Sequence, residues 1–321
     1  MKMFQNLDPE LAAALAHLDL PETGARGYTH AELARERDRM AAARLAGLVP
    51  DPAVLIKDMW VPGPEGGPDL RLRIHRPAGA TDGPLPCVYW IHGGGMTFGL
   101  PEQDDGVAAR FVRELRCVVA SPAYRLAPEH PDPAPVEDCY AGLLWLAASE
   151  PGVDPRRIAI GGASAGAGLA AGVTLLSRDR GGPAPVFQAL SAPMLDDRAD
   201  TPSMTQYEDV LVIDRDYIAE SWTALLGDRR ATDAVSRYAA PARATDLSGL
   251  PPALVDVGEL EVFRDETVLY ALRLARAGVP TELLVYPGVF HGSEKLVPYA
   301  EITRRAVANR LAALRRAFTR P

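Results

Sequence analysis

The chain has little cysteine, no excess of positive charge and no apolar run long enough to cross a membrane. Only three of its 321 residues are cysteines, and they lack the spacing of metal ligands. We therefore interpret Cys87, Cys117 and Cys139 as core residues. The formal net charge of −8 argues against nucleic acid or an anionic membrane as a partner.

The first residues also lack the pattern of a secretory signal. Residues 1–6 contain no apolar run, so we expect a cytoplasmic protein. The chain is 47% hydrophobic, which is enough for a sizeable core. Its length suits one large domain with a smaller cap.

Apolar segments alternate with helical patterns through most of the chain. We expect buried strands near residues 88–91, 118–121, 158–161, 186–191, 253–257 and 283–286. Helices separate most of them, near residues 102–115, 136–148, 165–178, 264–277 and 298–318. Residues 70–75 alternate aliphatic with basic side chains, which predicts an antiparallel strand with one wet face. The fold class is therefore α/β, with a mostly parallel sheet flanked by helices.

Two regions stand outside this alternation. Asp8 and Pro9 begin one N-terminal helix, and Thr29 with Glu32 could cap a second that reaches Leu45. Residues 198–250 interrupt the later strands and include a helical pattern over 214–226. An insertion there lies over the carboxyl ends of the strands, where ligands bind.

These features divide the chain into four parts. We expect cap helices over 1–50, the first part of the core over 51–197, a cap insertion over 198–250 and the rest of the core over 251–321. The cap would shape a pocket and exclude water from it. Its candidate lining residues are Tyr207, Val210, Leu211, Ile213 and Trp222.

Two short motifs point to acyl-transfer chemistry. Residues 92–95 read His-Gly-Gly-Gly at the end of a buried strand, where backbone N–H groups can meet a developing oxyanion. Residues 162–166 read Gly-Ala-Ser-Ala-Gly between a strand and a helix, the context of a nucleophile elbow. The motifs predict Ser164 as the nucleophile and the N–H groups of Gly93, Gly94 and Ala165 as the oxyanion hole.

With two further motifs the chain resembles the hormone-sensitive-lipase-like esterases, also known as family IV bacterial carboxylesterases. The motifs are Tyr-Arg-Leu-Ala-Pro-Glu-His at 124–130 and Phe-His-Gly at 290–292, and the resemblance extends from about residue 70 to the end. It implies an α/β-hydrolase fold with a helical cap. It also implies a metal-free esterase without a cofactor, acting on short- to medium-chain acyl esters, often as a homodimer.

Six histidines compete for the role of general base. His291 follows a late strand on a short loop, which suits the chain order serine, acid, histidine. His92 belongs to the oxyanion motif, where we expect it to brace the glycine loop. The remaining histidines are interpreted as surface, packing or structural residues, namely His17, His30, His75 and His130.

The acid follows the strand over 253–257. Related family members carry Asp-Pro-Leu-Arg-Asp-Glu there, and the first Asp, their triad acid, matches Glu261 in this chain. Glu is one methylene longer, but this fold accepts either acid. Asp256 and Asp265 remain alternatives, although Asp265 also suits the first turn of a helix. A second departure is Ala163, where many relatives carry an acidic residue.

The resulting hypothesis is a serine carboxylesterase that works through a Ser164–His291–Glu261 triad and an acyl-enzyme. The same triad also serves amidases, lactonases and small-molecule acyltransferases, and the fold does not settle the substrate. Some proteins of this shape are non-catalytic receptors for small molecules. Matched ester and amide substrates would separate an esterase from an amidase.

Overall fold

A computed structural model describes residues 6–17, 30–45, 51–79, 83–206 and 212–319. Within these ranges eight strands form one sheet. The strands are β1 (Val54–Val61), β2 (Leu70–Pro77), β3 (Leu85–Ile91), β4 (Val118–Pro122), β5 (Val153–Ala163), β6 (Phe187–Ser191), β7 (Ala253–Leu260) and β8 (Thr281–Phe290). Their order in the sheet is β1-β2-β4-β3-β5-β6-β7-β8.

Ten α-helices lie in the same described ranges. They are α1 (Pro9–Leu15), α2 (His30–Leu45), α3 (Asp105–Leu115), α4 (Ala134–Ser149), α5 (Ala165–Arg180), α6 (Ser203–Gln206), α7 (Arg215–Leu226), α8 (Arg264–Arg276), α9 (Ser293–Leu296) and α10 (Glu301–Thr319). None of these helices is both long and apolar enough to cross a membrane.

The sheet is parallel from β4 through β8 and antiparallel at β1 and β2. This confirms the predicted fold class and each of the predicted strands. The sequence does not predict β1, whose residues are mostly exposed at the edge of the sheet. Such a strand has no clear apolar face, so its hydrophobic pattern does not predict a strand.

Buried side chains form one cluster on each face of the sheet. In β3, Cys87, Tyr89 and Ile91 belong to the cluster that includes residues of α4 and α5. Val88 and Trp90 belong to the other cluster, with residues of α3 and α10. This alternation follows from the pleat of a strand. The three cysteines are buried and free, as expected of core residues.

The face of β2 that we predicted to be wet is partly covered by α3. His75 is completely buried, and its Nε2 atom lies 2.9 Å from Oδ1 of Asp105 in α3. Arg73 donates to the same carboxylate at 2.8 and 2.9 Å. The interpretation of His75 as a residue on a wet face is therefore wrong, because a helix distant in sequence supplies its partner.

The N-terminal helices begin and end close to the predicted positions. Asp8 caps α1, since its Oδ1 accepts the N–H groups of Glu10 and Leu11 at 2.9 and 3.3 Å. Helix α2 ends at Leu45, while Thr29 of the predicted capping box lies outside the described residues. Arg37 of α2 donates to the carbonyls of Thr97 and Ala127 at 2.7 and 2.6 Å, which links α2 to the loops after β3 and β4.

The predicted helix over 214–226 is present as α7, with Asp214 as its N-cap. Trp222 is fully buried and Ile213 is buried, so both pack within the described fold. Tyr207, Val210 and Leu211 lie outside the described residues. The division of the chain into core and cap stays a prediction.

Candidate active site

The sequence-predicted site residues follow the carboxyl ends of neighbouring parallel strands. Ser164 comes directly after β5, Glu261 after β7 and His291 after β8. Ile91, the residue before the His-Gly-Gly-Gly motif, pairs with Gly162 of β5. Because parallel strands end at the same edge of a sheet, the topology brings the motifs to one edge.

Ser164 lies on a sharp turn between β5 and α5. Its backbone has φ 59° and ψ −126°, a conformation that L residues seldom adopt. Its N–H donates to the carbonyl of Ser191 at 2.9 Å, which fixes the turn to the end of β6. A β-carbon on Gly166 would lie 2.0 Å from the carbonyl oxygen of Ile91, so this turn requires glycine there.

The glycine loop after β3 lies against this turn. A β-carbon on Gly93 would come within 3.2 Å of the Ser164 β-carbon. The carbonyl of Gly93 accepts from Gln103 Nε2 at 3.2 Å and lies 3.0 Å from His92 Nδ1. Since the C=O and N–H of a trans peptide unit point in opposite directions, these contacts orient the N–H of Gly94.

His92 is buried beside this loop, and Tyr124 holds it in place. Its ring stacks on Tyr124 with the centroids 4.3 Å apart, and Tyr124 Oη donates to the His92 carbonyl at 3.0 Å. The sequence alone does not identify Gln103 or Tyr124 as residues of the site. Tyr124 opens the 124–130 motif, which could have drawn attention to it, whereas nothing in the sequence marks Gln103.

His291 and Glu261 are in direct contact. His291 Nδ1 lies 2.5 Å from Glu261 Oε2, and Glu261 is only 3% exposed. The second oxygen, Oε1, accepts the backbone N–H of Gly258 at 3.2 Å. A carboxylate at Nδ1 holds the proton on that nitrogen and leaves Nε2 able to accept another. The ring of Phe263 meets the imidazole edge-on at 5.5 Å.

The two alternative acids are engaged elsewhere. Asp256 accepts from Ser191 Oγ at 2.8 Å and from Arg310 at 3.3 Å, and burial raises the pKa of its carboxyl group. Asp265 accepts the N–H of Ser203 at 2.8 Å and pairs with the neighbouring Arg264. The carboxylate that contacts His291 belongs to Glu261.

The segment after His291 is held by ion pairs with distant residues, which the sequence does not predict. Glu294 accepts from Arg310 of α10 at 3.1 Å. Lys295 donates to Asp104 at 2.6 Å, and Asp104 also accepts Trp90 Nε1 at 3.0 Å. The position of Arg310 among the apolar residues of α10 is the signal that could have revealed it.

Helix α7 lies over the glycine loop. A β-carbon on Gly95 would come within 2.6 Å of Ser221 Oγ and 3.2 Å of Tyr217 Oη, and both side chains belong to α7.

In the described part of the chain, no group of three or more His, Cys, Asp or Glu side chains is arranged to hold a metal ion.

Comparisons with known proteins agree with this architecture. Residues 88–294 match a family described as alpha/beta hydrolase fold. A carboxylesterase from Mycobacterium tuberculosis, NlhH, is 37% identical, with 98% of this chain and 97% of that protein covered. An acetyl-hydrolase from Streptomyces hygroscopicus is 32% identical over 68% of this chain and 72% of its own length. The solved structure of a bacterial heroin esterase has a TM-score of 0.90 and 44% identity, covering 99% of both chains.

Proposed function

The chain belongs to the hormone-sensitive-lipase-like carboxylesterases of the α/β-hydrolase family, and we propose that it hydrolyses short- to medium-chain acyl esters with Ser164, His291 and Glu261 as a catalytic triad. The observation that carries this proposal is the 2.5 Å contact between His291 and Glu261. The acetyl-hydrolase relative supports the preference for short acyl groups.

Acylation begins at Ser164. Its Oγ attacks the ester carbonyl while Nε2 of His291 takes the hydroxyl proton, and the carboxylate of Glu261 stabilises the imidazolium that forms. The tetrahedral oxyanion accepts hydrogen bonds from the backbone N–H groups of Gly93, Gly94 and Ala165. One such donor typically contributes about 3–4 kcal/mol to the stability of the transition state.

Collapse of this intermediate breaks the bond to the alkoxy oxygen. His291 gives its proton to the departing alcohol, which leaves an acyl group on Ser164. Water then attacks the acyl-enzyme with His291 again as the base. The free acid departs and Ser164 recovers its proton, so the cycle needs no cofactor.

Hydrolysis of p-nitrophenyl esters of increasing acyl length tests the proposal. We expect turnover of the short esters by the wild type and its loss in Ser164→Ala. A variant that keeps wild-type turnover would exclude Ser164 as the nucleophile. An inert wild type that still binds small apolar molecules would favour a receptor, and preference for a matched amide would favour an amidase.

The four-part division of the chain, the cytoplasmic location and the homodimer are part of the same proposal. For the dimer, the structure offers exposed apolar side chains at Leu269 and Leu272 of α8 and at Val285 of the edge strand β8. Light scattering would measure the mass in solution, and a monomer at micromolar concentration would exclude a stable dimer.

A further inference from the structure

Helix α10 buries an arginine within its apolar face. Arg310 is 2% exposed and lies among Val307, Leu311 and Leu314, which pack on the sheet. Removing a guanidinium from water is costly unless several hydrogen bonds compensate. The burial of Arg310 among aliphatic side chains therefore requires contacts that stabilise its charge.

The guanidinium of Arg310 contacts three side chains. Nη2 donates to Ser191 Oγ at 2.8 Å and lies 3.3 Å from Asp256 Oδ2. Nη1 lies 3.1 Å from both carboxylate oxygens of Glu294. One cation thus faces two carboxylates and a hydroxyl, and its carbon atom Cζ lies 5.9 Å from the centre of the Trp90 ring.

Two of these partners lie on segments that carry or lead to a proposed catalytic residue, and the third is hydrogen-bonded to one. Ser191 accepts the N–H of Ser164 through its backbone carbonyl. Asp256 lies on β7, the strand that Glu261 follows. Glu294 lies three residues after His291, in α9. The planar guanidinium has five donors in a fixed geometry, which lets it contact three segments at once.

We propose that Arg310 is a positioning residue, which holds the segment after His291 in register with the end of β6 and the middle of β7. This inference rests on the proposed function, because the geometry that it maintains is that of the triad. The short contact between His291 and Glu261 depends on where two separate loops are placed. Arg310 joins the structures beneath both loops and beneath the turn at Ser164.

Replacement of Arg310 tests this assignment. In Arg310→Met we expect kcat on p-nitrophenyl acetate to fall about 100-fold with KM nearly unchanged, since a misplacement of about 1 Å costs roughly that much. Arg316→Met is the matched control, because Arg316 also lies on α10 but forms an exposed pair with Glu282. We expect the control to keep its kcat within about twofold. Titration of active sites with a phosphonate ester corrects for unfolded protein.

Glu294→Gln provides a milder variant should Arg310→Met fail to fold. It weakens only the arm that reaches the segment after His291, and we expect about a tenfold loss in kcat. Arg310→Lys retains the charge but not the fork, so we expect it to recover only part of the activity lost in Arg310→Met.

A second measurement does not depend on turnover. The proton shared by His291 and Glu261 should give a low-field imidazole signal in proton NMR, which shifts or broadens in Arg310→Met and persists in Arg316→Met. An unchanged signal together with an unchanged kcat per active site would overturn the assignment. If Ser164→Ala kept full activity, the proposed function would fail instead, and the NMR signal would still report on the role of Arg310.

Discussion

Replacing Glu261 with glutamine changes the triad by a single functional group. In the wild type, Oε1 of Glu261 accepts the N–H of Gly258 and Oε2 contacts His291 Nδ1. The N–H of Gly258 can only donate, so in the variant it keeps its hydrogen bond to the oxygen of the new amide. The amide NH₂ group then faces Nδ1 of His291.

This orientation selects the wrong tautomer of the imidazole. With a donor opposite it, Nδ1 must act as an acceptor, and the ring proton moves to Nε2. A ring protonated at Nε2 cannot take the proton of Ser164. The change of a triad carboxylate to an amide costs about 10⁴-fold in kcat, which corresponds to about 5.4 kcal/mol of transition-state stabilisation.

The assay is kcat on p-nitrophenyl acetate at neutral pH, with thermal unfolding to verify that the variant is folded. Asp265→Asn is the matched control, since it makes the same change in the alternative acid, which contacts Ser203 and Arg264. We expect the control to remain within about threefold of the wild type. A Glu261→Gln enzyme with more than about a tenth of wild-type activity would refute the reasoning, as would a comparable loss in Asp265→Asn.

Two further substitutions test the surroundings of the site. Gln103→Leu removes a donor to the Gly93 carbonyl, so we expect about a tenfold fall in kcat with KM unchanged, and a rise in KM alone would contradict this. Glu266 is buried, and its burial raises the pKa of its carboxyl group well above the usual value. Its contribution to stability is therefore complete below the unfolded pKa of about 4.3 and is lost as the pH rises through the folded value. Urea unfolding should show that the stability of Glu266→Gln relative to the wild type rises as the pH is raised above the unfolded pKa, and a difference that does not change with pH would exclude this account.

Local pattern is sufficient to predict most of the sheet and the positions of the candidate residues. The strands that precede Ser164 and His291 contain apolar segments and are followed by glycine-containing turns, so their ends can be located before the fold is known. Their catalytic roles remain predictions. The edge strand β1 escapes the same reasoning because its side chains are mostly exposed and show no single apolar face.

Contacts between distant segments are what local pattern misses. His75 alternates with aliphatic residues as an exposed side chain would, yet it is buried against Asp105, thirty residues later. Arg310 likewise has its partners on two strands and on α9. Buried polar groups of this kind are stable in the interior only through partners that the folded chain supplies, and neighbouring residues do not identify those partners.

The contact between Glu261 and His291 combines both kinds of information. Strand order places the two residues at adjacent strand ends, since Leu260 pairs with Phe290. That pairing depends on an irregularity, because β7 advances two residues from Gly258 to Leu260 while β8 advances four from Tyr286 to Phe290. Without the extra residues in β8, His291 would lie beyond the end of β7. The irregularity therefore brings His291 level with Glu261, and the order of motifs along the chain cannot reveal it.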